Sequence, residues 1–323
     1  MKTIKEYMSL LKESIKKKLP EDLLDNLEIT DVVVTKINNQ KFHGLSFRLS
    51  EIEVAPTYYV DEAYKSYKEG GSVEKFAVEV VQALLHTICA CEVAPTIPDL
   101  SYDKIKDHLA LHLVEVERNQ DYLSNIPYFE VGGGLALVCD IHIVNPAGDG
   151  CWKTAITNQM AETYHYDMNA LFRQAMQSAK IIDPPKLASM SMELANRPIC
   201  PNLLSDDIPI DDSDKEEIYL LTNQSGIFGA AALFYSGVKE TIAKKLDESY
   251  YALPSSLHEY LIIPESATAE TASLVEMVRM ANRTAIKPAD ILSNTVLHYS
   301  TNTGLLEPLL QLPAAPKKQV AVC

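Results

Sequence analysis

Residues 73–88 carry an apolar repeat that matches one side of an α-helix. The repeat is formed by Val73, Phe76, Ala77, Val80, Val81, Leu84, Leu85 and Ile88. Polar residues from Lys75 to His86 fall on the opposite side, and Ser72 is placed to cap the first turn. Because most of the stability of such a helix comes from packing its apolar side, the sequence predicts an α-helix that lies against a folded core.

Segments of alternating polarity predict β-strands, several of them joined by short turns. Residues 27–37 and 42–50 predict a hairpin that turns at Asn38-Asn39-Gln40. Further strands are predicted at 135–144, 151–157, 218–222, 229–235, 250–253, 257–263, 295–299 and 305–310. Strands joined by short turns pair in antiparallel fashion. The predicted fold class is therefore α+β, with two lobes of mixed, mainly antiparallel sheet and packed helices.

Helical periodicity accounts for most of the remaining chain. A surface helix is expected from Ile4 to Leu19, where Glu6 and Glu13 interrupt the apolar residues, unlike the continuous apolar region of a signal peptide. Other helices are predicted at 102–117, from a cap at Asp167 or Asn169 to 179, at 187–195, at 238–246 and at 269–282.

A change in composition suggests where the chain divides. Residues 205–217 hold seven acidic residues and one lysine, which is typical of a solvated linker or an exposed loop. The expected order is an N-terminal α+β lobe (1–130), a middle sheet-and-helix segment (131–204), the acidic linker or loop (205–217), a C-terminal α+β unit (218–312) and a flexible tail (313–323).

Charge and cysteine usage exclude several classes of protein. The net charge of −15 over 323 residues opposes general binding of nucleic acid, whose phosphates are also negative. No apolar run reaches the ~20 residues of a membrane span, and the longest, at 135–144, contains Asp140 and His142.

The six cysteines form no Cys-x-x-Cys pair and suggest reduced thiols in a cytoplasmic protein. The Gly132-Gly133-Gly134 run precedes a strand, unlike a phosphate loop, so no cofactor is predicted.

Three residues are candidate metal ligands. His108 and His112 are four residues apart, and Glu115 follows three residues later. On the helix predicted for 102–117 they could converge on one metal ion. The Leu-Ala-Leu spacer differs from that of zinc proteases, and partly buried histidines with hydrogen-bond partners explain the pattern equally well. We therefore predict no metal, with these three residues as the candidates should one bind.

The segment Pro254-Ser255-Ser256-Leu257-His258-Glu259 raises the question of catalysis, because it combines two hydroxyls, an imidazole and a carboxylate. On a strand, His258 and Glu259 point to opposite faces, so the carboxylate cannot orient the imidazole. The alternative is structural: Ser255 and Ser256 form the turn that enters the strand predicted at 257–263. No catalytic residue is assigned, and Ser255, Ser256, His258 and Glu259 remain the candidates.

Several stretches resemble a known family. They are YLLTNQSGIFGAAALFYSGVKETIAKKL, YYALPSSLHEYLIIP, LVEMVRMANRTAIKPADILSNTVLHYS and, nearer the N-terminus, APTYYVDEAYKSYKEGGSVE. This pattern is similar to the family called domain of unknown function 5688. The order of elements and the ending NTGLLEPLL are also similar to the domain of unknown function 1444 (YtpQ-like) family. The resemblance implies a bacterial cytoplasmic protein, often encoded by a mobile element, and it supplies no activity, cofactor or site residue.

Three functions remain open at this point. The first is a non-enzymatic binding or interaction protein with an unknown protein partner, acting through a groove or an exposed sheet edge. The second is a hydrolase that uses Ser256 and His258 with an acid from elsewhere in the chain. The third is an acidic decoy of nucleic acid encoded by a mobile element, which would need its carboxylates aligned on one surface.

Overall fold

The structure, a computed structural model, describes residues 2–49, 55–93, 99–144, 151–195, 200–208, 210, 218–268 and 270–309. The chain divides into two units, Met1–Asp99 and Leu100–Cys323. Much of the predicted acidic linker and all of the predicted flexible tail lie outside the described residues. The finer division into segments stays a prediction.

The first unit combines four helices with a three-stranded sheet. In chain order its elements are α1 (Ile4–Lys16), α2 (Glu21–Leu24), β1 (Leu27–Lys36), β2 (Gln40–Leu49), β3 (Thr57–Tyr59), α3 (Asp61–Lys68) and α4 (Val73–Val93). The sheet order is β1-β2-β3, and both pairings are antiparallel. The predicted hairpin and the helix predicted from residue 73 are confirmed. Asn38 and Asn39 have positive φ angles in the hairpin turn, a conformation that asparagine tolerates better than most residues.

The core of the first unit lies between its helices and its sheet. Leu11 of α1, Leu84 of α4 and Phe47 of β2 are fully buried in one cluster. Tyr7 joins them, and its ring lies 5.0 Å from that of Tyr67 on α3. Such burial supplies most of the stability of the unit and fixes the face on which β1 and β2 pack.

The second unit contains two sheets and the remaining helices. Its elements are α5 (Tyr102–Ile105), β4 (Leu109–Glu115), α6 (Gln120–Leu123), β5 (Tyr128–Gly132), β6 (Leu135–Val144), β7 (Cys151–Ala155), α7 (Asn158–Thr163), α8 (Met168–Ile182), β8 (Pro185–Ser189), α9 (Met190–Leu194), β9 (Tyr219–Asn223), α10 (Val238–Leu246), β10 (Tyr250–Ser256), β11 (Glu259–Pro264), α11 (Thr271–Thr284), β12 (Leu297–Ser300) and β13 (Leu305–Pro308). No helix in the described ranges is long and apolar enough to cross a membrane.

All strand pairs in the second unit are antiparallel. The larger sheet has the order β13-β12-β10-β11-β9-β8. The smaller has the order β4-β6-β5, and β7 also pairs with β6. Together with the helices this confirms the α+β class. Asp167 caps α8 by accepting hydrogen bonds from the backbone of Asn169 and Ala170, so the predicted helix and its first cap candidate are confirmed.

The predicted helix at 102–117 is wrong. It is a single helical turn (α5), a 3-10 turn (Lys106–His108) and then the strand β4. Residues 109–114 are buried at every position. A strand that is covered on both faces reads as a continuous apolar run, and such a run is ambiguous by periodicity alone.

Three further predictions in the second unit need correction. Residues 229–235 are not a strand, because Gly229–Phe234 forms a 3-10 helix. The piece at 187–195 is the end of β8 followed by α9. The strand predicted at 257–263 starts at Glu259, so Ser255 and Ser256 end β10 and do not lie in the turn.

Candidate functional site

A buried histidine on β4 is the centre of the first candidate site. His112 Nδ1 lies 2.7 Å from Oδ2 of Asp140 on the neighbouring strand β6, and both side chains are almost fully buried. The hydroxyl of Tyr122, on α6, lies 3.1 Å from Nε2 of the same ring. Burial and the charge of Asp140 raise the pKa of Tyr122, so the phenol keeps its proton. A carboxylate only accepts, so Nδ1 of the ring donates to Asp140, while Nε2 faces the phenol of Tyr122.

The ring of Phe228 contacts two histidines. Its centroid lies 5.3 Å from that of His112 and 5.8 Å from that of His258. The backbone of Phe228 is in the left-handed region, with φ of 54°, and its N–H donates to Nδ1 of His258 at 3.1 Å. A non-glycine residue in this region carries strain, so the contacts around it must hold the turn in place.

The next residue, Gly229, shows how tightly this turn is built. A Cβ added there would lie 2.2 Å from Thr222 Oγ1 and 2.5 Å from the carbonyl oxygen of His258. The Thr222 hydroxyl also donates to that carbonyl at 2.8 Å. Only glycine fits at this position. The turn at Phe228 is therefore packed directly against both β9 and the β10–β11 hairpin.

The four catalytic candidates at the β10–β11 hairpin do not form a serine–histidine pair. Ser255 Oγ donates to Glu259 Oε1 at 2.8 Å, and Ser256 Oγ accepts from the backbone N–H of His258 at 3.0 Å. Since Nδ1 of His258 accepts from Phe228, the ring proton is on Nε2, which lies 3.8 Å from Oδ1 of Asp290. The imidazole is thus held by a backbone amide and faces a carboxylate, while the Ser256 hydroxyl is bonded to backbone.

The three candidate metal ligands do not come together. His108 is exposed at the end of the 3-10 turn, whereas His112 is buried on β4. Glu115 accepts from Ser293 Oγ at 3.0 Å and from Arg118 Nε at 3.1 Å. Among the residues that the structure describes, no three His, Cys, Asp or Glu side chains are grouped as metal ligands would be.

The structure therefore joins residues that the sequence placed in separate sites. His112 and His258 both contact Phe228, and the segment from Asp290 to Ser293 reaches both His258 and Glu115. Tyr122, Asp140, Phe228 and Asp290 were not predicted as site residues. Only Asp140 had a local signal, because it is a charged residue inside an apolar strand.

An open cleft of about 490 Å³ is the second candidate site. Residues of β5, α8, α10, β13 and the connection before α10 line it. Its apolar wall includes Phe129, Met176, Phe234 and Leu306. Clefts of several hundred Å³ with mostly apolar walls and a few polar groups are the usual form of a small-molecule site.

The charged groups of this cleft are few. Arg173 of α8 and Lys239 of α10 supply two positive charges, and Glu240 supplies one negative charge 4.0 Å from the ammonium of Lys239. With two positive groups and one negative group, the cleft has a net positive charge in a chain whose net charge is −15. The connection before α10 is held against α8, because the N–H of Ser236 donates to the carbonyl of Met176 at 3.1 Å.

Comparison with known proteins identifies a family and no function. The model of a family of unknown function, DUF5688, matches residues 4–301, and the chain belongs to that family. No curated protein and no solved structure gave a significant match. The similarity to the domain of unknown function 1444 family stays a prediction.

Proposed function

We propose that this DUF5688 member is a non-enzymatic binding protein and that the cleft between β5, α8, α10 and β13 is its ligand site. The observation that carries the proposal is the cleft itself, with about 490 Å³ of space behind a largely apolar wall. A largely apolar wall favours a ligand with an apolar body, because that body leaves water on binding.

The charges of the cleft favour an anionic ligand. Arg173 is exposed, so its guanidinium is free to turn towards a carboxylate or phosphate group. Lys239 is partly buried and shares its charge with Glu240, which leaves Arg173 as the main partner for an anion. We therefore propose a small amphipathic anion, such as an alkanoate, as the class of ligand.

The hydrolase alternative has less support in this geometry. A nucleophilic serine needs a base within hydrogen-bond reach. The Ser256 hydroxyl instead accepts from the His258 backbone, and Nδ1 of that imidazole accepts from the Phe228 backbone. The nucleic-acid decoy depends on the acidic segment, most of which lies outside the described residues.

Calorimetric titration with three ligands of equal tail length tests the proposal: decanoate, decanol and decyltrimethylammonium. Decanoate is expected to bind most tightly, because only its head group pairs with Arg173. Arg173→Glu should weaken decanoate binding by about tenfold or more, since an attraction becomes a repulsion. Arg283→Glu is the matched control, because Arg283 is exposed on α11 outside the cleft.

Equal binding of the three ligands would contradict the anionic part of the proposal. Equal affinities of the Arg173→Glu and Arg283→Glu variants for decanoate would contradict the assignment of the cleft.

A further inference from the structure

The first unit has an open sheet edge at β1. This strand is ten residues long and pairs with β2 without a bulge over its whole length. No described strand pairs with its other edge. The strand contains no proline, and its centre is Val32-Val33-Val34. A long, regular edge of this kind presents unpaired backbone donors and acceptors to another strand.

The two faces of β1 restrict how a second strand can pair with it. Ile29 and Asp31 lie opposite Phe47 and Leu45, which are buried, so odd-numbered residues lie on the face of the sheet that carries the core. Only Leu27, Ile29 and Thr35 of that face are partly buried, since Asp31 and Val33 are exposed. Even-numbered residues, among them Val32, face the other side. A shift of register by one residue would exchange the faces. Two antiparallel copies of β1 therefore keep their core sides together only when odd residues pair with odd ones.

Charge selects one register among those that remain. Glu28 and Lys36 are both exposed, lie on the same face and stand four residues on either side of Val32. When two copies pair antiparallel about a two-fold axis at Val32, Glu28 of each copy lies opposite Lys36 of the other. A two-fold axis at Asp31 would place two aspartates opposite each other, which is unfavourable. An axis at Val33 would place Lys36 opposite Thr30 and leave Glu28 without a charged partner.

We infer that the partner of this edge is a second copy of the chain, bound through β1–β1 pairing centred on Val32. The pairing forms two Glu28–Lys36 contacts and joins the two three-stranded sheets into one antiparallel sheet of six strands. The charge complementarity of the strand with itself carries the inference. It is independent of the ligand cleft, and the failure of either proposal leaves the other standing.

Sedimentation velocity over a concentration series of the full chain tests the inference. The unaltered chain is expected to form dimers as its concentration rises. Glu28→Lys and Lys36→Glu each place like charges opposite each other twice, so each should weaken dimerisation by about tenfold. The double variant Glu28→Lys/Lys36→Glu restores the opposite charges and should restore the dimer. An equimolar mixture of the two single variants should also form dimers, because each copy then supplies the charge that the other lacks.

Two controls keep the outcome clear. Glu62→Lys makes the same change of charge at an exposed position of α3 and should leave dimerisation unchanged. Lys36→Glu also removes a contact of the ammonium with the ring of Tyr59, but the double variant lacks that contact too and is still expected to dimerise. If a single variant fails to fold, Val32→Lys places two lysines opposite each other and should abolish dimers. A chain that stays monomeric at every concentration, or single variants that dimerise normally, would overturn the inference.

Discussion

His112 and Asp140 form a buried pair in which Nδ1 of the imidazole lies 2.7 Å from Oδ2 of the carboxylate. Both side chains are more than nine-tenths buried, on neighbouring strands of the smaller sheet. A buried carboxylate is tolerated only when its partners satisfy it. The pair therefore fixes the position of the imidazole that contacts Phe228, and through Phe228 it is linked to the β10–β11 hairpin.

Asp140→Ala is expected to destabilise the protein by about 1–3 kcal/mol, because it leaves the Nδ1–H donor of His112 buried without its acceptor. Asp140→Asn retains an oxygen that accepts from Nδ1 and should cost less. Asp103→Ala removes an aspartate whose side chain is 87% exposed and is expected to change stability by less than about 0.5 kcal/mol. Urea unfolding followed by circular dichroism measures all three. Equal effects of Asp140→Ala and Asp103→Ala would refute the structural role of the pair.

Gly229→Ala should destabilise the second unit by about 1–3 kcal/mol, because the added Cβ would lie 2.5 Å from the His258 carbonyl oxygen. Gly226→Ala is the comparison within the same turn. Gly226 has a positive φ of 68°, unlike Gly229, but nothing lies within 4 Å of its added Cβ, so only backbone strain of about 1 kcal/mol is expected. Thermal unfolding should rank Gly229→Ala below Gly226→Ala, and the reverse order would show that the turn is less tightly packed than described.

Tyr260→Phe is expected to stabilise the protein by about 1 kcal/mol. The hydroxyl of Tyr260 is buried on β11 and has no hydrogen-bond partner among the residues that the structure describes. Its removal should therefore relieve the free-energy cost of burying an unsatisfied hydroxyl. Tyr235→Phe is the matched change, because the Tyr235 hydroxyl is also buried but bonds with Asn223. It should destabilise by about 1 kcal/mol. A destabilising Tyr260→Phe in denaturant unfolding would mean that this hydroxyl has a partner after all.

Stability is expected to fall at alkaline pH. Burial, with a smaller contribution from Tyr67, raises the pKa of Tyr7 to about 12, whereas an unfolded tyrosine ionises near 10. The unfolded state therefore releases its proton first, so the stabilisation is complete below about pH 10 and is lost as the pH rises towards about 12. Tyr7→Phe should reduce the slope of unfolding free energy against pH in this window. An unchanged slope would contradict the burial of this phenol.

Much of the fold follows from local patterns, and its errors have a common cause. The hairpin of β1 and β2 and the helices α4, α8 and α10 show clear alternation, periodicity or caps in the sequence. Residues 109–114 and 230–235 are short runs in which His112 is the one clearly polar side chain. Such runs show no polar side, so periodicity cannot distinguish strand from helix, and only the tertiary environment decides.

The candidate sites were harder to predict because their residues come from distant parts of the chain. Tyr122, Phe228 and Asp290 meet the two histidines only after β4, β9 and β11 are in place. The cleft likewise depends on residues from Phe129 to Leu306. A single sequence shows local spacing but not these long-range contacts. The polar residues of PSSLHE could therefore be recognised as candidates, whereas Phe228 and Asp290, which contact His258, could not.

Hydrogen–deuterium exchange of the full chain with and without decanoate tests the ligand cleft most directly. The proposal predicts slower exchange in peptides covering 173–177 and 233–240 when decanoate is bound, because these segments line the cleft. Peptides of β1 and β2 in the first unit should exchange at the same rate with and without decanoate. Protection that appears only outside the cleft, or no protection at a decanoate concentration that saturates the calorimetric signal, would contradict the assignment of the cleft as the ligand site.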